Sequence, residues 1–170
     1  LGLIRIRNLS ELCLKQYQIH KDKLTVLDDK ICFWSPTLVE YINEFPSLVS
    51  SMRIIQNSLL PICKSESGFT PSVPSSLVDA IGKIEKYGLG KKLENLFKDY
   101  WNTNGKSLKD YRDIDQHYTT LVSNSTILTQ PDEKLSVILP DNPECKKPKE
   151  FTYKKKIDAA DFCQDQFKSL

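Results

Sequence analysis

Residues 107–122 read Ser107-Leu-Lys-Asp-Tyr-Arg-Asp-Ile-Asp-Gln-His-Tyr-Thr-Thr-Leu-Val122. At about 100° per residue, Leu108, Tyr111, Ile114, Tyr118, Leu121 and Val122 fall on one side of a helix. The stretch therefore predicts an amphipathic helix packed in a bundle. Arg112 and His117 stand off that stripe, roughly 140° apart. Asp113 lies one turn before His117, a spacing at which carboxylate and imidazole can touch. The chain has only two histidines, and one of them is placed here among charges.

Upstream, Cys13, Tyr17, His20, Leu24, Leu27, Ile31 and Trp34 recur at helical spacing. They predict a long first helix opened by a capping box at Asn8-Leu-Ser-Glu11, with Leu1–Arg7 as a short strand or tail and His20 at the core boundary. Ser35-Pro36 is an N-cap followed by a first-turn proline. Leu38, Tyr41, Phe45, Leu48, Met52, Ile55 and Leu59 then form a second stripe, with a kink expected at Pro46 and a stop at Pro61. Two matched stripes joined tightly predict an antiparallel helical hairpin.

Lys64–Ser76 is rich in Ser, Pro and Gly and predicts a loop. A third helix starts at Leu77, turns Ile81 and Ile84 inward and ends near Gly88. Leu93, Leu96, Phe97, Tyr100 and Trp101 predict a fourth, followed by a turn at Asn102–Gly105 and a cap from Ser107 and Asp110. Beyond Asn124 the helical period stops. Lys134–Leu139 and Glu150–Ile157 read as two strands, and Asp158 caps a last helix carrying Phe162 and Phe167. The expected fold is mainly α: an antiparallel bundle of four to five helices over residues 1–125. Residues 126–170 would add a small C-terminal β-hairpin and short terminal helix as an appendage of the same domain.

Composition sets outer bounds. With 170 residues, 39% hydrophobic and 27% charged, the chain suits one globular domain rather than a disordered one. A net charge of +2 does not by itself indicate nucleic acid. Lys146, Lys147, Lys149, Lys154, Lys155 and Lys156 either make a local positive field or blunt the edge of the hairpin. The five cysteines form no C-x-x-C pair, which points to free thiols in a reducing, cytoplasmic compartment and away from zinc. No apolar run reaches the roughly 20 residues of a membrane span.

The segment Arg112-Asp113-Ile114-Asp115-Gln116-His117 resembles the signature of the HEPN family, the higher eukaryotes and prokaryotes nucleotide-binding domains. That signature is an Arg, a polar residue, three variable residues and a His on a late helix of a helical bundle. The resemblance implies a metal-independent endoribonuclease or an RNA- or nucleotide-binding protein, working as a homodimer without a cofactor. It also implies a setting in toxin–antitoxin or defence systems, with an antitoxin-like protein as a possible partner. Carried over by position, Arg112 and His117 form the catalytic pair and Asp113 supports them, with Lys109 and Tyr118 as candidate substrate contacts.

The chemistry fits those residue types. Cleavage without metal needs proton transfer at the 2′-hydroxyl and at the leaving oxygen, and a cation for the crowded phosphorus. Histidine serves either proton role, and arginine offers a planar fork of donors to phosphoryl oxygens. The same residues also suit ordinary surface pairing, Arg112 with Asp115 or Gln116 and Asp113 with His117. A non-catalytic helical interaction domain remains the alternative.

Overall fold

Ser35 Oγ accepts the Leu38 N–H at 3.1 Å, and Pro36 fills the first helical position, where its missing N–H costs nothing. The helix it opens, α2 (Pro36–Ser67), is the longest in a mainly helical chain. The computed structural model describes residues 2–20, 26–27, 30–31, 35–67, 72, 74–118, 127–129 and 135–170. Helix α2 runs through both Pro46 and Pro61, so the expected stop at Pro61 does not occur. Each proline removes a single backbone donor, while Phe45, Val49, Met52 and Leu60 are buried on either side and hold the rod in place. The first residues of the expected loop, 64–67, are accordingly helical.

Helix α1 (Gly2–His20) lies antiparallel to α2. Gln16 Nε2 donates to Thr37 Oγ1 at 3.0 Å near the start of α2, and Arg5 pairs with Glu44 at 3.2 Å further along. The helix begins at Gly2, not at the Asn8–Glu11 box, because Ile6, Leu9 and Cys13 form one buried line that passes straight through that box. Leu1–Arg7 is thus neither strand nor tail from Gly2 onward. His20, the last described residue of α1, is exposed rather than at a core boundary. Leu27 and Ile31 belong to a short antiparallel ladder, β1 (Val26–Leu27) with β2 (Lys30–Ile31), and not to a continued helical seam. Leu24 and Trp34 lie outside the described residues.

Among the described residues two apolar clusters carry the packing. The larger joins Ile6 and Cys13 of α1, Tyr41, Phe45 and Met52 of α2, and residues of the C-terminal half. The smaller joins Leu60 of α2 with Leu77, Ala80, Ile84, Leu89 and Phe97. Ile55, expected inward, is exposed, and Gln56 and Leu60 are buried in its stead. A straight helix drifts by ~20° per heptad, enough to rotate the apolar line off a strict seven-residue repeat.

The second cluster is built by α3 (Leu77–Ile81), a 3-10 turn at Ile84–Tyr87 and α4 (Lys91–Tyr100). Gly88 closes the turn at φ 60°, the left-handed conformation glycine adopts without penalty, as its position predicts. Leu96 on α4 is exposed, whereas Phe97 faces the core. No loop follows. Trp101–Gly105 forms a π-helical turn that leads directly into α5 (Lys106–His117). The cause is close approach: Gln56 Nε2 donates to the Gly105 carbonyl at 3.0 Å, and a Cβ on Gly105 would stand 2.5 Å from that nitrogen. Because helical backbone runs unbroken from Trp101–Gly105 into α5, Ser107 has no free helix end to cap; its Oγ donates to the Asn104 carbonyl at 2.8 Å.

Leu108, Tyr111 and Ile114 of α5 are buried as the stripe predicts. Tyr118, just past the last turn, is exposed, and Leu121 and Val122 lie outside the described residues. Among the described residues the C-terminal segment carries three antiparallel strands in the order β3 (Ile127–Thr129), β4 (Leu135–Leu139), β5 (Ile157–Asp158). The second expected strand shrinks to β5 because Pro148 opens a 3-10 turn through Glu150 and Lys156 sits at φ 51°. Val137 and Leu139, with Ala159 and Cys163 of α6 (Ala159–Ser169), enter the larger core cluster. Asp158 caps α6 as expected, its Oδ1 accepting the N–H groups of Ala160 at 2.9 Å and Asp161 at 3.0 Å. Phe162 meets Tyr111 edge-to-face with centroids 4.7 Å apart, while Phe167 is exposed. Among the described residues no helix is long and apolar enough to cross a membrane.

Candidate functional site

Helix α5 is held on its inner side by Tyr111, whose hydroxyl donates to the Pro140 carbonyl at 2.6 Å. That fixed side leaves the charged residues of the helix facing outward. Lys109 Nζ lies 2.8 Å from Asp113 Oδ2 and 3.3 Å from Asp110 Oδ1. Arg112 Nη1 donates to Asp113 Oδ1 at 3.2 Å. Asp113 therefore has a cation on each carboxylate oxygen. Partial burial pushes its carboxyl up, but the Lys109 hydrogen bond and charge, with those of Arg112, outweigh that and hold it below the ordinary carboxylate range.

Asp113 and His117 share no hydrogen bond; the carboxylate is engaged by Lys109 and Arg112 instead. His117, in the last turn, is exposed and meets the Tyr118 ring edge-on at 6.2 Å between centroids. Tyr118 in turn has Lys146 Nζ 5.6 Å from its ring centre, within cation–π range. The helix end thus displays an imidazole, a phenol and an ammonium together. Arg112 lies on another side of the helix, and no hydrogen bond joins it to His117. Both remain open to solvent, Arg112 in part.

Of the residues expected at the site, Lys109, Arg112 and Asp113 form one ion-paired group, and His117 and Tyr118 form a second. Lys146 joins the second group without a motif to announce it; only its place in the lysine-rich stretch hinted at a role. Lys147 is absorbed by Glu150 at 2.9 Å. Below α5, Arg53 of α2 is buried, donating to Gln56 and to Ser76 Oγ at 3.4 Å with Trp101 centred 6.0 Å away. Its burial lowers its proton affinity, and the nearby charge of Asp113 opposes that shift.

Among the described residues no group of three or more His, Cys, Asp or Glu side chains is disposed to hold a metal ion. Comparison with protein-family models, with curated proteins and with solved structures finds no match.

Proposed function

We propose that the chain is a HEPN-like RNA-binding protein that contacts single-stranded RNA through the end of α5 and cleaves it without metal as a homodimer. The observation that carries this reading is the exposed group at the helix end, where His117 and Tyr118 stand in contact and Lys146 covers the tyrosine ring. An aromatic face beside cations is the arrangement on which an unpaired base stacks while its phosphate is neutralised. Arg112 spends one nitrogen, Nη1, on Asp113, which leaves further guanidinium donors for a phosphoryl oxygen. The roughly 140° between Arg112 and His117 favours a cleft completed by a second copy, each chain supplying one imidazole.

The test is incubation of labelled single-stranded RNA with the protein in EDTA, beside Arg112→Ala and His117→Ala, with the oligomeric state measured by sedimentation. Cleavage by a wild-type dimer that both substitutions abolish supports the reading. Intact RNA with wild type, or cleavage that survives both changes, ends the catalytic part of it.

One observation favours a second reading, a helical protein-interaction domain of antitoxin-partner type. Ile54, Ile55 and Ile62 of α2 and Leu96 of α4 are all exposed, and such apolar surface suits a protein partner. A stable protein complex that survives Arg112→Ala and His117→Ala, with no RNA bound, would favour it.

A further inference from the structure

The loop between β4 and β5 carries six lysines, of which the group at the end of α5 uses only Lys146. The loop is folded back on itself. The Asp141 N–H donates to the Thr152 carbonyl at 2.7 Å, and the Asp141 carboxylate accepts the Lys155 N–H at 3.0 Å. Asn142 Nδ2 donates to the Glu150 carbonyl at 3.1 Å, while its Oδ1 accepts the Thr152 N–H at 3.0 Å. Pro148–Glu150 forms a 3-10 turn, and Phe151 packs against the larger core cluster. The lysines therefore stand on an ordered backbone, which lowers the cost of using several of them at once.

They are not equivalent. Lys147 is paired with Glu150 at 2.9 Å, and Lys155 lines an acidic cavity with Asp141, Glu144 and Asp165. Lys149, Lys154 and Lys156 are exposed, and among the described residues no ion pair joins them to a carboxylate. Lys156 sits at φ 51°, a conformation uncommon for a residue with a side chain. Lys146 connects this set to α5, since its Nζ lies 5.6 Å from the centre of the Tyr118 ring.

We infer that this loop carries the phosphate backbone of a single-stranded RNA away from the end of α5, with Lys149, Lys154 and Lys156 neutralising phosphates that flank the base on Tyr118. The inference rests on the RNA reading of the helix end and extends its footprint. An aromatic ring with cations leading away from it is the pattern of single-strand binding. A membrane surface calls for apolar side chains among the basic ones, and no large apolar side chain of residues 141–156 is exposed. Phosphate contacts carry no base information, so the loop adds affinity and salt dependence without sequence preference.

The experiment measures binding of a labelled 2′-O-methyl oligouridylate of about 12 nucleotides, which cannot be cleaved through its 2′-oxygen, across a KCl series. Wild type and Tyr118→Ala are compared with Lys149→Gln/Lys154→Gln/Lys156→Gln. The control, Lys83→Gln/Lys86→Gln/Lys92→Gln, removes the same charge from exposed positions beside the smaller core cluster. Circular dichroism checks that each variant is folded. A phosphate contact on a single strand contributes roughly 0.7 to the slope of log Kd against log salt, so the loop variant should lose roughly 2 from that slope and bind about tenfold or more weakly at low salt. The control should keep the wild-type slope. If wild type binds and Tyr118→Ala weakens it, but the loop variant matches the control, this inference falls and the helix-end reading stands. No binding by wild type ends both. Equally tight binding to phosphatidylserine vesicles, lost in the loop variant, would assign the loop to a membrane surface and also overturn the inference.

Discussion

Lys109 Nζ stands 2.8 Å from Asp113 Oδ2 across one turn of α5, and this pair, with Arg112 on the other oxygen, takes up the carboxylate in place of His117. The Lys109 proton is held above its ordinary value, chiefly by that hydrogen bond, and Asp113 is held below its own. A depressed carboxyl contributes stability above its unfolded value of about 3.9 and loses it as pH falls through the folded value. A raised amine contributes below about 10.4 and loses its share as pH rises through the folded value. The bridge is therefore at full strength from about pH 4 to 10. Lys109→Met should cost ~0.3–0.5 kcal/mol at pH 7, as a surface pair one turn apart does. In urea titrations the gap to wild type should close as the pH falls below about 4; an undiminished gap at about pH 2 would refute the pairing.

Gly105 is the point where the rod from α4 to α5 touches α2. A methyl group there meets Gln56 Nε2 at 2.5 Å, Tyr100 Cε1 at 2.9 Å and Trp101 Cε3 at 3.1 Å. Gly105→Ala should destabilise by ~1–3 kcal/mol, the usual range for overpacking a filled site. The urea midpoint would fall with an unchanged slope. A variant as stable as wild type would mean that the close approach is absent in solution.

The four thiols among the described residues should separate into two classes. Burial pushes Cys13 up to about 11 and Cys163 up to about 12, so neither forms much thiolate near neutrality. Cys63 and Cys145 are only half-buried. With iodoacetamide at about pH 8 under native conditions, peptide mapping should find Cys63 and Cys145 alkylated well before Cys13 and Cys163. Equal rates for all four would contradict the packing of α1 and α6 against α2.

Much of the fold was legible in the chain because it rests on short-range rules. Ser35-Pro36, Gly88 and Asp158 each mark a helix end by local chemistry, and each does so in the structure. The bundle itself followed from apolar spacing. Misplaced boundaries came where tertiary contacts override local signals. Pro61 does not end α2 because Leu60 is anchored beside it, and Asn102–Gly105 does not form a loop because Gln56 reaches across to Gly105. The pattern at Leu27 and Ile31 fits a helix and a two-residue ladder equally well.

The candidate site was legible as a list of residues and not as a geometry. Lys109 and Asp113 had the spacing of an ion pair, but that spacing equally allowed Asp113 with His117. The choice between them depends on side-chain direction. Lys146 reaches Tyr118 only through the fold of the C-terminal loop, a long-range contact that no sequence period encodes.

The most direct measurement is fluorescence anisotropy of a labelled single-stranded RNA oligonucleotide in EDTA, which reads binding whether or not cleavage follows. Wild type should bind, and both Arg112→Ala and Tyr118→Ala should weaken binding by about tenfold or more, in line with ~1–3 kcal/mol per stacked base. Lys92→Ala, an exposed charge on α4, serves as the control. If wild type does not bind, or if the α5 variants bind as tightly as Lys92→Ala, the end of α5 is not an RNA site.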